Sequence, residues 1–124
     1  MSKKYSLKNA EETNKAHPDT FEIPQREERE NVRVGDFVKA MFAVSREFVT
    51  PGKHHEYIKA RYPAILEGQE LVERMWIKVE GRTEDGEYVG ALANDPVFTD
   101  LAAGDQVIFK PEHIIDILPE NKSE

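Results

Sequence analysis

The sequence predicts a small, mainly β domain: a strongly bent antiparallel sheet or an SH3-like partly open barrel, with one to three short helices. Three observations carry this expectation. Residues 36–44, 70–81 and 87–92 alternate their side chains at the period of a strand. Asp85–Gly86, between two of those runs, is a short-range hairpin signal, so these strands are expected to pair antiparallel. The strand–helix–strand spacing of a parallel sheet is absent.

Each element follows from local chemistry. Leu7 to Ala16 predicts a short helix, with Ser6 as its N-cap and Pro18 as its stop. Phe21 and Ile23 flank Glu22 in alternating spacing and are expected to lie extended across the edge of the core. Arg26, Glu27, Glu28, Arg29 and Glu30 read as a solvated helix face or loop. Gly35 and Asp36 form the entry turn of the first strand, which runs to Val44. Val38, Ala40, Phe42 and Val44 face one way; Phe37, Lys39, Met41 and Ala43 face the other. Both faces are largely apolar, so both are expected to be covered.

Residues 45–70 admit several forms. His54 to Tyr62 reads as a helix lid ended by Pro63, or as an ordered loop beside a cleft. Glu70 to Gly81 is the second strand, with Met75, Ile77 and Val79 on one face and Arg74, Trp76 and Lys78 on the other. Glu87 to Leu92 returns from the hairpin, and Asn94, Asp95 and Pro96 form the next turn. Gly104–Asp105 opens the strand Gln106 to Phe109, and its surroundings echo those of Gly35–Asp36. Pro111 can start a one-turn helix through Ile114. Ile115 to Leu118 adds a last strand, and residues 119–124 read as a frayed tail.

The 124 residues suffice for one domain and one core. The absence of cysteine excludes a disulfide scaffold, a thiol nucleophile, a thiolate zinc site and an iron–sulfur cluster. The short apolar runs predict no membrane span, and the N-terminal lysines lack a following apolar stretch, so the expected address is the cytoplasm. The formal charge is −7, and the excess is local: residues 71–124 carry five basic and twelve acidic side chains. Such a half repels a phosphate backbone, so no nucleic-acid partner is expected. The acidic excess serves solubility or favours a basic partner.

Several runs occur together in order: Gly35-Asp36-Phe37-Val38-Lys39, Glu73-Arg74-Met75-Trp76-Ile77-Lys78-Val79, Tyr88-Val89-Gly90 with Asn94-Asp95-Pro96, and Ala103-Gly104-Asp105 with Pro111-Glu112-His113-Ile114. His17 to Pro24 adds to them. Together they resemble the DUF2314 family of uncharacterised bacterial proteins, over most of residues 17–117. Residues 45–70 look longer than the compact family pattern. The resemblance implies a bacterial source and a small stand-alone or appended domain, and no assigned reaction.

Two functional readings follow. In the first, the chain is a non-enzymatic protein-interaction or regulatory module. Arg74, Trp76 and Lys78 form its binding surface, because an indole between two cations can anchor a partner. The same three side chains can instead be packing beneath the N-terminal segment. In the second reading, Asp95 and His113 form an acid–base pair in a small-molecule-binding protein or hydrolase. Asn94, Asp95 and Pro96 can equally be a structural turn, as can Gly35, Asp36, Gly104 and Asp105. No cofactor or metal site is expected: His54, His55 and Glu56 are adjacent, and adjacent ligands on a helix do not converge. Gly81, Gly86 and Gly90 read as strand-end or hairpin glycines, not as a phosphate cradle.

Overall fold

The computed structural model describes residues 5–45, 66–67, 70–94, 96 and 101–120. Its elements are β1 (Ser6–Leu7), α1 (Ala10–Ala16), α2 (Arg26–Glu30), β2 (Phe37–Ser45), β3 (Leu66–Glu67), β4 (Glu70–Arg82), β5 (Tyr88–Leu92), β6 (Gln106–Phe109) and β7 (Ile114–Leu118). A 3-10 turn at Pro111–His113 leads into β7. The fold is a strongly curled antiparallel half-barrel with two short helices.

The curl follows from how two long strands are shared. One edge of β2 pairs antiparallel with β4, from Phe37↔Lys78 to Ser45↔Glu70. Its other edge is divided between β1, at Ala43 and Phe42, and β7, from Phe37↔Leu118 to Ala40↔Ile114. The 13-residue β4 carries β5 on its other edge, from Ile77↔Leu92 to Arg82↔Tyr88, with a bulge between Val79 and Gly81. Bulges increase local twist and bend the strand. β6 pairs β5, and among the described residues no strand pairs the other edge of β6.

Alternation sorts the side chains as the sequence predicts. Met75, Ile77 and Val79 are buried, with Val38, Ala40, Phe42, Tyr88, Leu92, Val107, Phe109 and Ile114 in the same core. Arg74 and Lys78 are exposed and Trp76 is half-buried. The outer face of β2 is covered at its Met41 end: Met41 packs with Ala10, Ile115, Val72, Phe21 and Ile23 in a second, smaller cluster beneath α1. The apolar character of both β2 faces therefore has two separate destinations.

Two turns share one hydrogen-bond pattern. Asp36 N–H donates to the Arg33 carbonyl, and Asp36 Oδ2 accepts from Arg33 N–H. Asp105 N–H donates to the Ala102 carbonyl, and Asp105 Oδ2 accepts from Ala102 N–H. The third residue of each turn is a glycine at positive φ, 98° for Gly35 and 94° for Gly104. A side chain is rarely tolerated at that position, so the Gly-Asp pair is the natural solution.

Three elements depart from the sequence expectation. Helix α1 starts at Ala10, not Leu7, because Asn9 Oδ1 caps Glu12 N–H at 3.0 Å. Ser6 and Leu7 instead pair with β2, and Leu7 packs against the main core. Arg29 is not part of a solvated face: it is 5% exposed. At the C-terminus, Glu120 N–H bonds Asp36 Oδ1 at 3.0 Å, which ties the chain down one residue past Pro119. The helix expected at His54–Tyr62 lies outside the described residues, as do residues 97–100 and 121–124.

The glycines of β4 and β5 differ in kind. A Cβ on Gly90 would stand 2.6 Å from the Lys78 carbonyl oxygen and 2.5 Å from Ile77 Cγ2, whereas a Cβ on Gly81 meets nothing within 4 Å. Gly90→Ala is expected to cost about 1–3 kcal/mol through overpacking. Gly81→Ala is expected to stay within about 0.5 kcal/mol of the parent. Urea midpoints of the two variants check this, and coincident midpoints would contradict the close approach of β5 to β4.

Candidate functional site

The outward face of the sheet gathers the cationic and aromatic residues. Register places Lys39 opposite Trp76, Phe37 opposite Lys78 and Met41 opposite Arg74. On the far side of β2, Lys39 faces Asp116 and Phe37 faces Leu118. On the far side of β4, Lys78 faces Ala91, and Ala91 faces Gln106. Period two on each strand then brings Phe37, Lys39, Arg74, Trp76 and Lys78 to one surface.

Trp76 is fixed from two directions. Its backbone N–H donates to Asn94 Oδ1, so the turn after β5 grips β4 at this residue. The Lys39 ammonium lies 4.7 Å from the indole centroid. The Arg74 guanidinium lies 5.6 Å from the Phe21 ring centroid, at the border where the N-terminal segment crosses the sheet. Such contacts are each worth about 0.5–1 kcal/mol at exposed sites. They orient the cations but do not neutralise them. Among the described residues, neither Lys39, Arg74 nor Lys78 forms an ion pair. A shallow depression lined by Val34, Gly35, Lys78, Val79, Glu80 and Glu120 adjoins this face.

Packing and exposure thus coexist at the three residues singled out by sequence. Arg74 lies over the Phe21 ring of the N-terminal segment, Lys39 stands over the half-buried Trp76 ring, and Lys78 lines the depression. Lys39 is the member that sequence reasoning missed. Alternation set it on the outer face of β2, but only the β2–β4 register carries it to Trp76.

The second candidate pair is described on one side only, since Asp95 lies outside the described residues. Pro96 beside it is buried, and Asn94 serves the turn through its bond to Trp76. His113 is the last residue of the 3-10 turn, and its Nδ1 accepts a hydrogen bond from Lys110 N–H at 3.0 Å. Burial holds its imidazole below the ordinary value, opposed by the nearby Glu112 and Glu87 carboxylates. Glu112 itself accepts from Asn9 Nδ2 at 3.3 Å. His113 Nδ1 thus closes its own turn, and Glu112 ties that turn to the residue that caps α1. No group of three or more His, Asp or Glu residues able to hold a metal occurs among the described residues, and His54, His55 and Glu56 lie outside them.

A separate polar knot holds the helices to the barrel. Arg29 Nη1 donates to Glu11 Oε2 at 2.7 Å and to the Pro111 carbonyl at 3.1 Å, and Nε donates to the Pro24 carbonyl at 2.9 Å. The Arg29 carbonyl accepts from the buried Tyr88 hydroxyl at 2.8 Å, and that hydroxyl accepts from Val32 N–H. The Arg29 hydrogen bond holds the Glu11 carboxyl below its ordinary value. One side chain thus joins α1, the Pro24 link, α2 and the turn before β7.

No described helix is long and apolar enough to cross a membrane. No curated protein and no solved structure matches the chain. A family profile does match it, over residues 21–124, under the description "Uncharacterized protein conserved in bacteria (DUF2314)". That span starts at Phe21, the ring beneath Arg74, and includes every residue of the outer face described above. The chain belongs to the DUF2314 family of uncharacterised proteins conserved in bacteria.

Proposed function

We propose that this chain is a non-enzymatic protein-interaction module, and that it binds its partner through the outer sheet face centred on Arg74, Trp76 and Lys78. The observation that carries the reading is a partly exposed indole on the outer sheet face, flanked by cations that lack ion partners among the described residues. Aromatic and arginine side chains are the residue types that dominate binding energy at protein interfaces. A sheet face supplies a rigid platform, so little ordering entropy is lost when a partner docks.

The test compares the unmutated protein with an Arg74→Ala, Trp76→Ala double variant as baits in a bacterial lysate, both checked for folding by circular dichroism. The expected result is a protein, identified by mass spectrometry, that the first bait captures and the second loses. The purified partner should then bind the parent at least tenfold more tightly than the variant, since a central aromatic anchor costs about 2 kcal/mol or more when truncated. Identical capture by two folded baits would remove this surface from the function.

A further inference from the structure

Building on the interaction reading above, we propose that the partner presents an acidic, extended segment, with one carboxylate for Arg74, an apolar side chain for Trp76 and a second carboxylate for Lys78. Three observations converge on this chemistry. The first is charge: a chain of net charge −7 nevertheless collects Lys39, Arg74 and Lys78 on one sheet face. The second is that no carboxylate pairs with these charges among the described residues. Arg29 and Arg26 are paired with carboxylates, whereas among the described residues Lys39 and Arg74 have rings for neighbours and Lys78 has no ion pair. Asp116, across from Lys39 in the register, turns its Oδ1 to the Ile117 N–H. The third is spacing. Arg74, Trp76 and Lys78 are alternate residues of one strand, so their side chains emerge about 6–7 Å apart along the same face.

An extended peptide laid along β4 has the same repeat on its facing side. A carboxylate at one position, an apolar residue two further on and a carboxylate two beyond that would meet the three side chains in order. Lys39, held over the indole, would sit beside the apolar residue and meet a flanking carboxylate. Net charge supports selectivity as well as affinity: the acidic excess of residues 71–124 repels an acidic chain around the cationic cluster, which favours docking at the cluster itself. The same acidic excess disfavours a nucleic acid, whose phosphates extend along a much longer track.

Trp76 is the chain's one tryptophan, so its fluorescence reports binding at the face directly. The probe is a synthetic peptide repeating Glu-Ser-Leu-Ser, compared with the same peptide carrying Gln or Lys in place of Glu, and with single-stranded oligothymidine. The glutamate peptide is expected to change Trp76 emission saturably, with affinity falling as salt rises. Lys39→Gln, Arg74→Gln and Lys78→Gln should each weaken it by about two- to fivefold at low salt, and the triple variant by at least about tenfold. Equal binding of the glutamine peptide, or of the lysine peptide, would overturn the acidic partner while leaving the face reading standing. No response to the glutamate peptide would overturn it too. Tighter binding of oligothymidine, lost in the triple variant, would replace it with a nucleic-acid ligand. The lysate comparison reports on the face without assuming any peptide chemistry, so the two failures are distinguishable.

Discussion

Arg29→Ala lowers the unfolding free energy by about 2–4 kcal/mol, whereas Arg26→Ala, three residues earlier, lowers it by no more than about 1 kcal/mol. Both arginines approach the same Glu11 carboxylate, at 2.7 Å and 3.5 Å. They differ in environment: the Arg29 side chain is 6% exposed and the Arg26 side chain 71%. Removing Arg29 strands the Pro24 and Pro111 carbonyls and the Glu11 carboxylate, while removing Arg26 returns its partners to water. Glu11 keeps some access to solvent, which holds the expected cost below that of a fully buried pair. Arg29→Lys should fall between, because an ammonium cannot reproduce the guanidinium fork. Urea unfolding of the three variants is the measurement. A loss below about 1 kcal/mol for Arg29→Ala would mean that the knot is open in solution.

The same knot gives a pH dependence with a definite sign. Glu11 has a carboxyl pKa held down in the folded chain by Arg29, so it contributes stability above its unfolded value. That contribution is lost as the pH falls through the folded value, because the unfolded chain then binds the proton more readily. Stability of the parent should decline on acidification through the carboxylate range. In Arg29→Ala the decline should be shallower, since the main cause of the shift is gone.

How much of this was legible in the sequence depends on the range of the interaction. The faces of β4 were legible because strand alternation needs only neighbouring residues, and Met75, Ile77 and Val79 separate cleanly from Arg74, Trp76 and Lys78. The Gly-Asp turns were legible for the same reason. Arg29 was not: within Arg26-Glu27-Glu28-Arg29-Glu30 nothing local distinguishes it from Arg26. Its inward turn is decided by where α2 meets Pro111, 82 positions away. Lys39 was placed on the correct face but not beside Trp76, because register between β2 and β4 is a tertiary fact. Nothing local separates Gly90 from Gly81 either: the Lys78 carbonyl and Ile77, which a Cβ at Gly90 would meet, come from the neighbouring strand. The start of α1 was missed for a subtler reason. Ser6 and Asn9 are both good caps, and the choice went to Asn9 once Leu7 was drawn into the core.

Ile77→Ala and Lys78→Ala give the sharpest contrast between adjacent residues. Ile77 is fully buried, in the core beside Met75 and Val79, and pairs across to Val38 on one side and Leu92 on the other. Truncating it removes apolar surface and leaves a cavity in the core beside Met75 and Val79. The expected cost is about 2–5 kcal/mol. Lys78 is exposed on the opposite face and forms no ion pair among the described residues, so Lys78→Ala should remain within about 0.5 kcal/mol of the parent. Urea midpoints at constant slope are the readout. A large loss at Lys78 would reveal a buried ion pair outside the described residues, and a small loss at Ile77 would reverse the two faces of β4. The pair also separates structure from function. Lys78→Ala should keep its midpoint and lose affinity for an acidic peptide. Ile77→Ala, at a temperature where it stays folded, should lose its midpoint and keep that affinity, since Ile77 lies behind the sheet from Trp76. One strand thus carries the stability of the domain on one face and its proposed recognition chemistry on the other, with a single residue step between them.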